Sequence, residues 1–284
     1  MSVPLTSPNS KANGASAQPS FSVILCVNRS NPWLSAAIES VLSQRDSDFE
    51  FLIAANACSD ALWNELQELT VGDHRVRLVR TRIGQLAYNL NVLADIAHGE
   101  YLVRMDADDV CEPDMLTAFR AALSREPTDI LGSAVILIDE RDRIVGQITF
   151  PASGDEIKRQ LAVRTVFCHP STAIRRRFLI EQRGYLGGFA SEDTDFWLRA
   201  VRAGASMRNL PEPLLRYRVH GEQSIASGRG YAEVAGHWMR EMLLSPSWYS
   251  LKGLTFAVVK CLMHRRLPRA KRYYQGADQN STKS

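Results

Sequence analysis

The feature that most constrains this chain is a repeated alternation of strand and helix patterns between residues 21 and 105. The apolar run at residues 21–27, which contains β-branched side chains, predicts a buried strand, and further strands are predicted at residues 49–54, 76–79 and 100–105. Apolar residues three or four positions apart, the spacing of one helical face, follow the strands. This alternation predicts a parallel sheet with helices on both faces, in which ligands bind beyond the carboxyl ends of the strands.

Local signals predict where the helices begin and end. Ser30 or Asn31 is expected to cap the first helix, and Asp60 the second. The third helix is expected to follow Gly84 and to stop at Gly99. The second half of the chain is less regular, with a predicted strand at 130–138, a turn at 139–143 and helices at 155–163 and 193–203. We therefore expect one α/β domain in which a parallel half is joined to a mixed half.

Composition and charge narrow the class of protein. With 45% hydrophobic and 23% charged residues, the chain is typical of a globular protein rather than of a disordered or fibrous one. Its five cysteines form no CxxC pair, which argues against a disulfide framework or a zinc site and favours a reducing compartment. Residues 252–284 hold eight Lys or Arg and one acidic residue, so the basic charge is confined to the tail. A nucleic-acid-binding domain would carry such charge over its body, and no nucleic-acid partner is expected.

The same patterns divide the chain into three parts. Residues 1–20 contain no apolar run and are expected to form a disordered leader rather than a signal peptide. Residues 21–230 carry the predicted domain, and residues 231–284 a basic, amphipathic helical extension. The uncharged stretch at 253–259 is far shorter than the roughly 20 residues that span a bilayer. Residues 248–272, which mix aromatic and basic side chains, are expected either to lie on an anionic membrane surface or to pack on the domain.

An acidic cluster, Asp106-Ala107-Asp108-Asp109, follows directly after the fourth predicted strand. In an extended segment Asp106 and Asp108 point to the same side, and paired carboxylate oxygens suit Mg²⁺ or Mn²⁺. The alternative is an acidic loop in which Asp109 or Glu112 caps the helix opened by Pro113.

Two further segments carry candidate functional groups. Ser191-Glu192-Asp193 lies at the start of a predicted helix. Its acidic residues would either provide the base for a transfer reaction or simply cap the helix. Arg216, Arg218 and His220 lie at every second position of a predicted extended segment, so their side chains share one face. This face would either bind phosphate or be the polar side of an exposed edge strand.

These segments together resemble the family 2 glycosyltransferases, the inverting nucleotide-sugar transferases with the GT-A fold. The resemblance covers residues 21–225, in the family's order. Its pieces are residues 21–44, 49–60 and 84–91, Gly99-Glu100-Tyr101, Asp106-Ala107-Asp108-Asp109, His169-Pro170-Ser171, Gly187-Gly188-Phe189, Glu192-Asp193 and Tyr217-Arg218-Val219-His220. It implies a Rossmann-like nucleotide-binding half with a mostly parallel sheet, joined to a mixed acceptor-binding half.

Carried over residue by residue, the resemblance implies a site for a nucleotide-sugar donor and a divalent cation. Asp108, with Asp106, would hold Mg²⁺ or Mn²⁺ at the donor's diphosphate. Asp193 would be the catalytic base, and Glu192 would touch the acceptor or hold the base in place. The residues implied to bind the donor are Asn28, Asn56, Asp60, Asn89, Asp106, Arg218 and His220. The implied reaction is a single displacement in which an α-linked donor gives a β-linked product.

The chain departs from the family's pattern where the nucleotide base binds. The family usually has Asp-Asp or Asp-Asn before its Gly-Ser turn, whereas this chain has Ala55-Asn56. Asn56 can still donate to and accept from the edge of a base. Val27 likewise stands where the family usually has a tyrosine. A UDP-sugar is the default expectation for the donor.

The leading hypothesis is addition of one sugar to a saccharide or a lipid-linked oligosaccharide in surface polysaccharide biosynthesis. Such an enzyme is expected in the cytoplasm, peripheral at the inner face of the cytoplasmic membrane. One alternative is transfer onto a polyprenyl phosphate, although enzymes of that kind often carry transmembrane helices. Another is a non-catalytic nucleotide-sugar-binding subunit, which Ala55 suggests and the presence of Asp106, Asp108 and Asp193 opposes.

Overall fold

The computed structural model describes residues 19–188, 190–221 and 228–263. Within these residues nine strands form one sheet in the order β3-β2-β1-β4-β8-β6-β9-β5, and β7 pairs with β6. The strands are β1 (Phe21–Val27), β2 (Phe49–Asn56), β3 (Val76–Thr81), β4 (Tyr101–Met105), β5 (Val110–Cys111), β6 (Ile130–Ile138), β7 (Ile144–Ile148), β8 (Thr172–Arg175) and β9 (Met207–Arg218).

Helices cover both faces of this sheet. In the described residues they are α1 (Leu34–Leu42), α2 (Asp60–Leu69), α3 (Leu86–Ile96), α4 (Met115–Arg125), α5 (Gly154–Leu161), α6 (Arg176–Glu181), α7 (Glu192–Arg202), α8 (Gly228–Leu244) and α9 (Trp248–Met263). A 3₁₀ turn at His169–Ser171 precedes β8.

The predicted α/β fold is confirmed, with a parallel half and a mixed half. Strands β3, β2, β1 and β4 are parallel neighbours, so their carboxyl ends lie at one edge of the sheet. Beyond β4 the sheet is mixed, because β8 is antiparallel to both of its neighbours and β9 runs parallel to β6. The loops after β1, β2 and β4 therefore converge at the edge where ligands bind in folds of this kind.

Two predicted helix caps are corrected by the structure. Ser59, not Asp60, caps α2, because its side chain accepts a hydrogen bond from the Leu62 amide and Asp60 is already helical. The first helix begins at Leu34, later than either predicted cap, and the Asn31 side chain instead accepts from the Trp33 amide in the preceding turn.

Apolar side chains fill a core on each face of the sheet. In β1, Val23 and Leu25 belong to a core shared with α1, α2 and α4, whereas Ile24 belongs to the opposite core, shared with α3 and α7. All three are at most 1% exposed. Burial on both faces explains why this strand is a continuous apolar run rather than an alternating one.

Helices α8 and α9 pack on the domain. The Trp238 ring of α8 lies against Gly253 of α9, where an added Cβ would meet the ring at 2.3 Å. On α9, the Lys260 ammonium donates to the Val163 carbonyl oxygen at 3.1 Å. Of the two expectations for residues 248–272, packing on the domain is therefore observed for residues 248–263. Residues 264–272 lie outside the described part of the chain. No helix in the described ranges is both long and apolar enough to cross a membrane.

The proposed division at residue 230 falls inside α8, which begins at Gly228, and the three-part organisation stays a prediction. Residues 1–18 of the predicted leader, together with Phe189, lie outside the described residues.

Candidate active site

Three carboxylates meet in a tight turn directly after β4. One oxygen from each of Asp106, Asp108 and Asp109 lies within 4.8 Å of the others. The expectation was an extended segment that brings only Asp106 and Asp108 to one side. The backbone turns instead, and this turn adds Asp109 to the cluster.

Asp109 is the most deeply buried member of this group. Its Oδ1 accepts from the Arg218 amide at 2.8 Å, and its Oδ2 has no hydrogen-bond partner among the described residues. Burial, with the neighbouring charges of Asp106 and Asp108, raises its pKa well above the ordinary value. A buried, unpaired carboxylate oxygen beside two other carboxylates is a costly arrangement that a cation would relieve. The donor set of oxygens fits Mg²⁺ or Mn²⁺.

The alternative in which these acids merely cap a helix is wrong. Helix α4 begins at Met115, and the Asp114 side chain before it makes no capping bond. Asp109 is bonded to Arg218, and Glu112 pairs with Arg216 at 2.7 Å. Neither predicted capping residue therefore caps α4.

A second acidic pair lies at the start of α7. Glu192 is 8% exposed, and burial together with the charge of Asp193 raises its pKa to about 7. Burial also raises the pKa of Asp193, whose Oδ1 accepts from the Thr194 amide at 2.6 Å. Ser191 occupies the cap position but makes no capping bond to α7. A carboxyl whose pKa is raised toward neutrality suits a general base.

Arg104, inside β4, links the two acidic segments. It is buried and forms a two-pronged ion pair with Asp106. Burial raises the pKa of Asp106, Glu192 and Asp193, and the positive charge of Arg104 partly offsets that rise in all three. The charge of Asp193 also raises the pKa of Asp106. The two segments thus share one electrostatic environment.

Arg104 has no role among the sequence predictions. A charged residue within an otherwise apolar strand is unusual, however, and indicates a buried ion pair.

His169 and Tyr185 form a buried wall behind Glu192. His169 Nε2 lies 2.9 Å from the Tyr185 hydroxyl, and its Nδ1 lies 4.0 Å from Glu192 Oε1. Burial and the charge of Arg104 lower the pKa of His169 well below its ordinary value, which disfavours the charged form of the ring. The sequence carried no metal-binding spacing at His169 and no signal for Tyr185.

The end of β9 closes over the acidic turn. His220 Nε2 lies 2.9 Å from Asp108 Oδ2, and its ring contacts that of Trp33 at a tilt of 44°. Arg218 is covered, and its guanidinium donates to the carbonyl oxygens of Asp108 and Asp139 at 2.8 and 2.9 Å. Of the three predicted phosphate-binding side chains, only that of His220 reaches a carboxylate of the acidic turn. Arg218 braces its backbone, and Arg216 is directed to Glu112 instead.

The four remaining predicted donor-binding residues follow β1 or lie around the ends of β2 and β3. Asn56 is 5% exposed, and its Oδ1 has no partner in the described part of the chain. Asn89 is completely buried and is bonded to Thr81, Ile83 and Gln85. Asp60 pairs with Arg80 at 2.6 Å, and Asn28 is exposed.

Asn89 and Arg218 therefore hold loops in this structure, and a direct contact of either residue with the donor remains a prediction.

Taken together, the arrangement offers a carboxylate cluster for a divalent cation and a carboxyl pair, buried at Glu192 and partly buried at Asp193, able to accept a proton. The cluster directly follows β4, at the carboxyl edge of the parallel half of the sheet. These are the parts that displacement of a diphosphate by a hydroxyl group requires.

Comparison with known proteins agrees with this geometry. The family model described as Glycosyl transferase family 2 matches residues 22–184. The O-antigen biosynthesis glycosyltransferase WbnJ of Escherichia coli is 34% identical over 227 residues, which cover 78% of this chain and 89% of WbnJ.

Two solved structures share the fold at low sequence identity. S. aureus TarS 1-349 in complex with UDP-GlcNAc matches with a TM-score of 0.67 and 17% identity, over 91% of this chain and 76% of TarS 1-349. The mannosyltransferase PcManGT from Pyrobaculum calidifontis, in complex with GDP-Man and Mn²⁺, matches with a TM-score of 0.63 and 17% identity, over 87% and 70%. The fold is the GT-A fold, and this chain belongs to glycosyl transferase family 2.

Proposed function

We propose that this glycosyltransferase moves a sugar, with inversion, from a nucleotide-diphosphate donor to a hydroxyl of a saccharide or lipid-linked oligosaccharide. The proposed context is surface polysaccharide biosynthesis, which the similarity to the O-antigen enzyme WbnJ supports. The observation that carries the proposal is the position of Arg104, which is ion-paired with Asp106 of the three-carboxylate cluster and also interacts with the charge of Glu192, the neighbour of Asp193.

Asp108 and Asp106 are the proposed cation ligands, and the orphan oxygen of Asp109 lies beside them. Mg²⁺ or Mn²⁺ bound there supplies the positive charge that stabilises a departing diphosphate. Asp106 is already paired with Arg104, so Asp108 is the more available ligand. Its contact with His220 holds the end of β9 against the same turn.

Asp193 is the proposed base. Its carboxylate takes the proton from the acceptor hydroxyl while the hydroxyl oxygen attacks the anomeric carbon opposite the leaving diphosphate. A bond forms to the acceptor oxygen as the bond to the diphosphate oxygen breaks, so no covalent intermediate is needed. Glu192 holds the base or touches the acceptor, and the buried His169 ring lies behind it, with Nδ1 4.0 Å from Glu192 Oε1.

Asn56 is the proposed reader of the nucleotide base. Its buried Oδ1 lacks a partner among the described residues, which a donor group on the base would supply. A UDP-sugar is the default donor. TarS and PcManGT have been solved with UDP-GlcNAc and with GDP-Man and Mn²⁺, respectively, which supports a nucleotide-sugar donor of either base.

A donor panel tests this function. We expect one class among UDP-, GDP-, dTDP- and CMP-sugars to raise the thermal unfolding temperature of the full chain, and to do so only with Mn²⁺ or Mg²⁺. A ligand at 100 times its Kd stabilises the folded state by about 2.7 kcal/mol, which gives a readily measured shift. Absence of a shift with every donor would contradict the proposal, and binding without transfer to any acceptor would favour the non-catalytic subunit.

We also propose that residues 248–272 bind an anionic lipid surface at the inner face of the cytoplasmic membrane. Large apolar side chains are exposed along α9 although the helix packs on the domain. Trp248 is 86% exposed and Leu262 is 74% exposed. The chain continues from α9 into a strongly basic sequence. An apolar face followed by basic residues is the pattern that favours lipid of negative charge.

Vesicle binding tests this membrane surface. The full chain is expected to sediment with vesicles that contain phosphatidylglycerol and to remain free of vesicles made of phosphatidylcholine alone. The double variant Trp248→Ser and Leu262→Ser is expected to weaken the binding at least about tenfold, since each change removes a large apolar side chain that would insert into the lipid. Ile144→Ser, which changes an exposed apolar residue on β7, is the matched control. Equal binding to both vesicle types would contradict the proposal.

A further inference from the structure

One face of α8 lies against the first turn of α7, next to the proposed base. Glu233, His237 and Arg240 are spaced four and three residues apart, so they project from the same side of α8. Glu233 and His237 contact Ser191, and Arg240 contacts Asp195 at 2.5 Å. This face lies outside residues 22–184, the part of the chain that matches the family model.

Glu233 holds the entry to α7. Its Oε2 accepts from the Ser191 hydroxyl at 2.8 Å and from the Ala190 amide at 3.2 Å. Both bonds lie before Glu192, the first residue of α7, so Glu233 fixes the chain where it enters the helix. A carboxylate near this end of a helix is also favoured by the helix dipole.

The preceding loop is shaped around the same carboxylate. Gly187 and Gly188 have φ values of 141° and 93°, which a residue with a Cβ rarely adopts. A Cβ added at Gly188 would lie 2.9 Å from Glu233 Oε2 and 2.9 Å from Ser191 Oγ. The glycine pair thus allows the loop backbone to close onto Glu233 immediately before the chain reaches Glu192.

A second contact fixes the other side of that turn. Asp195 is 1% exposed and pairs with both Arg199 of its own helix and Arg240 of α8. The proposed base Asp193 therefore lies between two residues, Ser191 and Asp195, that α8 holds by hydrogen bonds and ion pairs.

We propose that Glu233 is a positioning residue for sugar transfer, which holds the start of α7 so that Asp193 faces the acceptor hydroxyl. The inference rests on the proposed function of Asp193 as the base. The bonds of Glu233 to Ser191 and to the Ala190 amide reach the chain just before Glu192, so its effect on Asp193 passes through Ser191 and the backbone. A misplacement of about 1 Å at a reacting group can lower a rate about 100-fold.

The test compares Glu233→Ala with Glu233→Gln in the full chain. Glu233→Ala is expected to lower kcat at least about tenfold while the Kd of the donor stays within about twofold, because the acidic turn is untouched. Glu233→Gln keeps an oxygen that can accept both bonds, and is expected to recover most of the rate. Glu181→Ala is the matched control, since it removes an exposed glutamate paired with Arg177 on α6.

Hydrogen exchange provides a readout that does not depend on activity. Glu233→Ala is expected to speed amide exchange in residues 190–195, while exchange in β1 and β4 stays unchanged. Should Glu233→Ala fail to fold, Ser191→Ala removes the same hydroxyl contact from the other side and is expected to lower kcat in the same direction.

The proposal is overturned if Glu233→Ala keeps kcat within about twofold of the control, or if its donor Kd rises in parallel with the loss of rate. These outcomes differ from those expected if Asp193 is not the base. If Asp193 is not the base, Asp193→Asn retains transfer, and the exchange rates at residues 190–195 still report whether Glu233 holds the start of α7.

Discussion

Asp193→Asn is expected to lower the rate of sugar transfer by about 10²- to 10⁴-fold, the usual contribution of a general base. The amide has nearly the shape of the carboxylate, but it cannot take the proton from the acceptor hydroxyl. Donor binding is expected to stay nearly intact, because the three carboxylates of the acidic turn are unchanged. The measurement is the initial rate of transfer at saturating donor, together with the donor Kd.

The control is Asp155→Asn, an exposed acid at the start of α5. A dependence on pH accompanies the prediction. The base works only when deprotonated, and burial raises the pKa of Asp193 and raises that of Glu192 to about 7. The wild-type rate is therefore expected to fall as the pH drops, and to begin falling at a higher pH than it would with an exposed carboxylate as the base. A rate for Asp193→Asn close to that of the control would contradict the assignment.

Asp108→Ala is expected to abolish the effect of Mn²⁺ or Mg²⁺ on donor binding. It removes one of three clustered carboxylates and also the contact of His220 with the acidic turn. Mutation of a residue that hydrogen-bonds to a metal ligand typically lowers metal affinity about 10- to 100-fold. Loss of a residue that itself binds the metal is therefore expected to lower the affinity at least about 100-fold. The measurement is donor affinity by titration calorimetry with and without metal.

Asp114→Ala is the matched control for this change. Asp114 is an exposed acid close to the turn in sequence, and its carboxylate pairs with Arg45 at 2.5 Å. This variant is expected to keep the full metal response. The proposed cation site would be contradicted if Asp108→Ala kept the same metal dependence as Asp114→Ala.

Much of the fold could be predicted because the parallel strands are buried on both faces. The bounds of β1 match the prediction, as do those of β6 in the mixed half, since each strand is rich in apolar residues and buried over nearly its whole length. The caps were less predictable. At α2, Ser59 and Asp60 are both good capping residues by type, and only the backbone geometry decides between them.

The acidic segments could be located from the sequence, but their connections could not. The turn that adds Asp109 to the cluster depends on its bond to the Arg218 amide, more than a hundred residues away in the chain. The Arg218 guanidinium is covered by the acidic turn, by the 139–143 turn and by the Trp33 ring, none of which is close to it in the chain. The sequence alone therefore made Arg218 resemble an exposed phosphate ligand. The contact of Glu233 with Ser191 joins two helices whose packing no local pattern specifies.

The most direct test of the account measures donor binding and transfer in Asp108→Ala and Asp193→Asn side by side. With the donor identified by the panel and Mn²⁺ present, titration calorimetry on both variants separates the cation site from the base. Asp193→Asn is expected to bind the donor within about twofold of wild type but to transfer sugar about 10²- to 10⁴-fold more slowly, whereas Asp108→Ala is expected to lose the metal-dependent binding itself. Equal loss of donor binding in the two variants would contradict the assignment of Asp193 as the base.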